Sequence, residues 1–346
     1  MFAAMTSVAL ASCVKNEPAM NLEQGDLIQF NSPVVGIPTK VAEYNAVAYP
    51  TDVPFNVTAW YHTAADATTG DVYMNNVTLT YDNGLKVYRA QGTKQYYWPK
   101  NGMLTFFAYS PATLPEGGDG ALARTAVTNA VNAQLEFTVP TDEEKQVDLL
   151  YSDFAKNQKS TTGVKDNENY ETTAGVDISF NHALSVIKFN FKGTAAATQA
   201  IRMRSVTLEG VDKTGTLTCG NTGTASWNVT TSAQNYVVLE DLGAGVYTKA
   251  LTELGEQYAN LILLPQELED ELLRISYYLQ TTDGWLPQEQ TLNLTDAKVS
   301  SVSLDEWAMN TKYTYNIVID VDEIYFAPAI DEAWETELTD SWQNKL

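Results

Sequence analysis

The 346-residue chain has only two cysteines, Cys13 and Cys219, and only two histidines, His62 and His182. The cysteines sit in such different contexts that a disulfide framework is not expected, so the fold must be held by packing alone. Two histidines exclude His-rich metal centres and paired-histidine catalysis on numbers. Basic residues are scarce as well: 21 Lys and Arg face 43 Asp and Glu, for a formal net charge of −22. A surface of that sign repels phosphate backbones, which argues against nucleic acid as a partner. It also keeps copies apart, so any self-assembly needs a deeply buried contact. No segment beyond the N-terminal stretch approaches the about 18 apolar residues of a membrane-spanning helix. P-loop, G-x-G-x-x-G and G-x-S-x-G patterns are missing, so no cofactor and no enzyme activity is expected. Acidic residues are too common to nominate a glycosidase pair. Asp66, Asp71, Asp320 and Asp322 are too scattered to nominate a calcium site. His182 reads as a hydrogen-bonding residue and Cys219 as a buried or turn thiol.

What the chain does have is aromatic and β-branched residues. Nineteen Tyr, 11 Phe and 7 Trp, in a chain that is 44% hydrophobic, can fill a sizeable core and favour strands. In the segment 55–61, Phe55, Val57, Ala59 and Tyr61 alternate onto one face, the period-two mark of a half-buried strand. Further strands are read near 77–81, 85–89, 95–98, 104–110, 135–139 and 148–152, with Asp82-Asn83-Gly84 as a hairpin turn. A second series runs through 176–180, 184–191, 202–208, 236–239, 258–264, 272–280, 288–294 and 313–320. The stretch 267–274 is the one helix candidate, and 112–133 and 154–173 read as long surface loops. Many short strands between turns predict an all-β chain with a β-sandwich in each half, residues 41–182 and 183–321.

Residues 1–12 are small and apolar and end in Leu10-Ala11-Ser12-Cys13. They read as a signal peptide, and the lack of positive charge ahead of them points to a start further upstream. The tetrapeptide resembles the bacterial lipobox, which implies a lipid on Cys13. Residues 16–25 are polar and read as a tether within a lipidated segment 13–40.

Several stretches together resemble the fimbrillin family, the type V pilins of anaerobic Gram-negative bacteria. They are Tyr97-Trp98-Pro99 leading into residues 104–111, Asp148-Leu149-Leu150-Tyr151-Ser152, Phe180-Asn181-His182-Ala183-Leu184-Ser185, Leu263-Leu264-Pro265-Gln266 and Tyr313-Thr314-Tyr315-Asn316-Ile317. The resemblance implies two tandem transthyretin-like β-sandwich domains and export as a lipoprotein to the outer membrane. It further implies a trypsin-like or arginine-specific maturation protease that removes the N-terminal segment with the first strand. The groove so exposed accepts a strand from another pilin subunit, self or related, and an adhesive fimbrium grows outside the cell.

Strand addition needs two segments of the same alternation, since one must fill the pockets the other vacates. Ile28, Phe30, Ser32 and Val34 fall on one face near the N-terminus, with Ile28, Phe30 and Val34 as first-strand pocket fillers. Ile324, Phe326, Pro328 and Ile330 do the same within a C-terminal donor-strand segment, 322–346. The other reading is that both are ordinary edge strands, where Pro33 and Pro328 are equally at home. Between Lys15 and Lys86 the only basic residue is Lys40. Its Gly- and Pro-containing surroundings make cleavage between Lys40 and Val41 the expected processing step, the alternative being a solvated loop lysine. A lysine departs from an arginine-specific consensus. The rival function is a lipid-anchored monomer that captures glycans on Trp60, Tyr61, Tyr96, Tyr97 and Trp98.

Overall fold

The structure, a computed structural model, describes residues 26–36, 47–160, 175–221, 223–240 and 258–333. Residues 1–12, Cys13, Lys40 and Val41 lie outside them. The all-β expectation holds: apart from a four-residue helix, Ala197–Ala200, and short 3-10 turns, the described elements are strands.

The first half carries β1 (Val34–Val35), β2 (Val47–Ala48), β3 (Phe55–His62), β4 (Asp71–Asp82), β5 (Val87–Ala90), β6 (Met103–Ser110), β7 (Ala121–Arg124), β8 (Asn132–Thr138), β9 (Leu150–Ser152), β10 (Ala155–Gln158) and β11 (Ser179–His182). The second carries β12 (Ser185–Gly193), β13 (Ile201–Gly220), β14 (Ala225–Leu239), β15 (Tyr258–Leu263), β16 (Gln266–Glu267), β17 (Leu272–Thr281), β18 (Gly284–Asn293), β19 (Lys298–Val299), β20 (Val302–Ser303), β21 (Glu306–Trp307), β22 (Thr311–Ile319), β23 (Ile324–Phe326) and β24 (Ile330–Ala333).

One sheet runs β2-β1-β11-β9-β6-β3-β4-β5, with β10 on β6. At its centre β3 and β6 pair antiparallel from Asn56↔Tyr109 to His62↔Met103. Both are buried on both faces, which their nearly continuous apolar sequences allow. Alternation divides those faces between two cores. Phe55, Val57, Ala59, Leu104, Phe106 and Ala108 join the first, whereas Trp60, Phe107 and Tyr109 join the second. A single sheet is thus the wall between them.

The second core is completed by the sheet β15-β12-β22-β23, with β24 on β22, and the sheet β18-β17-β13-β8-β7, with β14 on β13. Strand β8 precedes the expected domain boundary at residue 182, yet it pairs with β13 from Thr138↔Thr214 to Asn132↔Gly220. Its apolar face, Ala133, Leu135 and Phe137, finds its cover in the second core, and the hydrogen bonding follows. One sheet therefore crosses the expected division.

Three local expectations are corrected. The helix candidate 267–274 is β16 and the start of β17, where the period-two burial of Leu273 and Ile275 prevails over local helix propensity. The expected loops hold β7 and β10. Strands β13 and β14 run far beyond 202–208 and 236–239, pairing as far as Cys219↔Ala225. In β14 the extra length is rich in Thr, Ser and Asn, and in β13 the buried face beyond Val211 is only Gly215, Leu217 and Cys219, so neither offers much apolar periodicity to read.

Candidate functional site

The N-terminal segment 26–36 lies between the two ends of the first sheet. On one side it runs antiparallel to residues 88–98. Phe30 N–H donates to Tyr88 O at 2.9 Å, Tyr88 N–H to Phe30 O at 2.8 Å, Ile28 N–H to Tyr96 O at 2.9 Å and Trp98 N–H to Asp26 O at 3.0 Å. On the other side it runs parallel to residues 176–180. Val176 N–H donates to Gln29 O at 2.8 Å, Asn31 N–H to Val176 O at 3.1 Å, Val34 N–H to Ile178 O at 3.2 Å and Gly36 N–H to Phe180 O at 3.0 Å. The segment closes a circuit through β11, β9, β6, β3, β4 and β5 and back to Phe30. Adjacent strands are about 4.8 Å apart, so taking this segment away leaves a gap one strand wide with unpaired donors and acceptors on both rims.

Its apolar side chains fill the first core. Ile28 is 4% exposed and Phe30 fully buried. The Phe30 ring stands edge-on to Phe106 at 5.3 Å and to Phe55 at 6.3 Å between centroids. Tyr88, beside it, gives its hydroxyl to Pro50 O at 2.6 Å, and burial pushes that phenol well above its ordinary range.

Beyond Phe30 the expected alternation slips by one residue. Ser32 and Val34 are exposed, Val34 at 37%, whereas Pro33 is buried and Val35 is 2% exposed. Val35, and not Val34, therefore fills the third pocket. The slip falls between Asn31 and Val34: from the Asn31 bond to Val176 O to the Val34 bond to Ile178 O this segment advances three residues and its parallel neighbour two. The Asn31 carboxamide stands at its start: Nδ2 donates to Gly175 O at 3.1 Å and Asp177 Oδ1 at 2.7 Å, and Gly175 N–H donates to Oδ1 at 3.2 Å. Pro33 has no N–H to leave unpaired there, and its carbonyl accepts from Tyr49 N–H at 3.0 Å. The Asn31-Ser32-Pro33 run is the one sequence signal that announced such a break.

The C-terminal segment lies on the outer edge of β22. Ile324, Tyr325 and Phe326 pair with Ile319, Val318 and Ile317. Residues 330–333 pair with Thr314 to Thr311. Ile324 is 2% exposed and Phe326 half-buried, its ring 5.7 Å from that of Tyr315. Pro328 and Ile330 face outward, Ile330 at 46%, and Ala329 is buried in their place. The face expected to hold Ile324, Phe326, Pro328 and Ile330 is thus broken one residue after Phe326, as in the N-terminal segment. Pro328 interrupts the ladder here, and its carbonyl accepts from Asn316 Nδ2 at 2.8 Å.

The other candidates fall into the packing. Trp60 is fully buried with its indole N–H on Thr128 O, and Trp98 is 8% exposed, so neither offers a face for a sugar. The structure brings none of the glycan-platform tryptophans to the surface. His182 Nδ1 is 2.7 Å from Asp148 Oδ2, both side chains being buried. Burial pushes the Cys219 thiol up to about 12.

A family model described as fimbrillin-like matches residues 49–332. No curated protein matches the chain. Among solved structures, the chain is similar to a candidate cell adhesion protein of Bacteroides uniformis, at 16% identity and TM-score 0.49, covering 88% of this chain and 99% of that one. It is also similar to two proteins of Porphyromonas gingivalis. The tip fimbrial protein, with C-terminal truncation, matches at 9% identity and TM-score 0.37 over 82% of this chain and 94% of that one. The fimbrial anchor protein matches at 10% identity and TM-score 0.34 over 89% and 98%.

Proposed function

The chain belongs to the fimbrillin-like family, and on that premise we propose that it is a fimbrial subunit, structural rather than enzymatic, that polymerises by exchange of its first strand. The observation that carries this reading is the two-sided hydrogen bonding of residues 26–36 between residues 88–98 and 176–180. A segment held in this way is a complete strand with its own pockets, and a strand of like spacing from another subunit can take its place. Ile28, Phe30 and Val35 gain about 1.5–3 kcal/mol each from burial, before ordering costs. Burial of matching side chains from a donor strand acts against the repulsion between acidic subunits.

In the proposed sequence of events the lipid on Cys13 holds the exported chain at the outer membrane. Cleavage between Lys40 and Val41 frees the segment 26–36 from β2, and the segment leaves with the lipidated peptide. The C-terminal segment, an edge strand on β22, detaches and serves as donor to a neighbouring subunit.

The test is to treat the full chain with trypsin, alone and mixed with the other subunits of the fimbriae from the same cells, and to examine each by electrophoresis in sodium dodecyl sulfate. The reading expects detergent-resistant assemblies in which this chain begins at Val41. Cleaved chains that stay monomeric alone and in every mixture, or assemblies in which this chain retains residues 26–36, would overturn it.

A further inference from the structure

We infer that the slot occupied by residues 26–36 is built for a strand from a different fimbrial subunit, and that this chain's own C-terminal segment does not fit it. The inference rests on the strand-exchange reading above and names the partner that reading leaves open.

The two segments match closely at first. Ile28 and Ile324 are both buried, Phe30 aligns with Phe326, Pro33 with the buried Ala329, and Val34 with Ile330, both of which face outward at 37% and 46%. The match fails at two positions. Val35, 2% exposed in the first core, aligns with Asp331, which in its own setting is exposed. At that site Val35 pairs with Phe180 on β11 and belongs to the apolar cluster of the first core, in which no described residue is a cation. Moving a charged group from water into such a site is strongly unfavourable unless it is paired. Asn31 aligns with Ala327, which has no side-chain polar atom to bridge Gly175 and Asp177.

Shifting the described C-terminal residues by one or two positions does not rescue the fit. A shift of one residue turns every side chain to the opposite face. A shift of two brings either Asp322 to the Ile28 site or Pro328 to the Phe30 pocket. The strand that fits has an aliphatic residue, an aromatic residue two positions on, a carboxamide next to it, and an uncharged apolar residue at the seventh position after the first. A fibre containing this chain is on this account a mixed one, in which the chain accepts from one kind of subunit and donates to another.

The experiment uses the full chain with a specific protease site inserted in the connection 37–46, cut there and offered fluorescent peptides in excess. Peptide 26–36 is the control, and peptide 322–332 is compared with its Ala327→Asn, Asp331→Val form. The converted peptide is expected to bind, with the native sequence weaker by on the order of 100-fold. Asp331→Val alone recovers most of that difference. Native and converted peptides binding within about threefold of each other would overturn the inference while leaving strand exchange intact. Failure of peptide 26–36 to bind would show a slot that does not exchange, and would overturn both.

Discussion

A Cβ built on Gly175 comes 2.6 Å from the backbone nitrogen of Asn31, closer than any side chain tolerates. Residues 175–180 therefore meet the N-terminal segment without room for a methyl group, at the point where the Asn31 carboxamide bridges the two segments. Gly175→Ala is expected to push the segment outward at a cost of about 1–3 kcal/mol. Hydrogen exchange at the Asn31 and Val34 amides should speed up, while the amides of β13 and β17 keep their protection. Unchanged exchange at Asn31 and Val34 would contradict the packing described.

The slip after Phe30 separates two adjacent valines. Val35→Ala is expected to cost roughly 1.5–3 kcal/mol in urea unfolding, because its side chain is lost from the first core. Val34→Ala, on the exposed face, should stay within about 0.5 kcal/mol of the parent. Phe30→Ala sets the upper end at about 3–5 kcal/mol. A larger loss at Val34 than at Val35 would restore the unbroken alternation and remove the register on which the slot is described.

Much of this was legible in the sequence, and the failures have physical causes. Phe55 to Tyr61 announced itself through alternation and Leu104 to Ser110 through its nearly continuous aromatic and apolar residues. Ile28 and Phe30 were legible as pocket fillers because alternation holds up to them. Val35 was missed because period two assumes one continuous ladder, whereas one extra residue at Ser32-Pro33 shifts the pairing with residues 176–180 and the count restarts. Pro328 hid the same shift in the C-terminal segment. The crossing of β8 to β13 could not be read at all, since Ala133, Leu135 and Phe137 state that one face is buried but not against which core. The far end of β13 was lost because its buried face is only Gly215, Leu217 and Cys219 among Thr, and that of β14 because Thr, Ser and Asn there carry no hydrophobic signal.

Glu271 is 8% exposed, and its Oε2 accepts from Glu269 N–H at 2.7 Å. Burial raises its carboxyl above the ordinary range, Asp212 adds to the rise, and the Glu269 hydrogen bond opposes it. A carboxyl raised in the folded state takes up a proton on folding. Its contribution is therefore fully present below the unfolded value of about 4.3 and is lost as pH rises through the folded value. Glu271→Gln should leave stability near pH 4 little changed and increase it near pH 7. Thermal melts at the two pH values check this, and a variant less stable than the parent at the higher pH would refute it.

Cys219 is 3% exposed, and burial raises its thiol to about 12, with Arg124 acting in the opposite direction. Its thiolate is on the order of a thousandfold rarer at mildly alkaline pH than that of an ordinary cysteine. Alkylation of Cys219 in the native chain, followed by mass spectrometry of its peptide, should be slower than in denaturant by at least that factor. Native labelling within about tenfold of the denatured rate would show that the second core opens readily around it.

Phe106 and Phe107 are neighbours on β6 that face opposite cores. Phe106 touches Phe30 in the slot, and Phe107 packs with Phe154 beside Trp60. In a fibre held by strands lodged in such slots, a pull on one subunit enters at the Phe30 pocket. It crosses a single peptide unit and is taken up by the strands behind the wall. The load path from one joint into the body of the next subunit then needs no linker, because the sheet that receives the strand is also the partition on which the rest of the molecule is built.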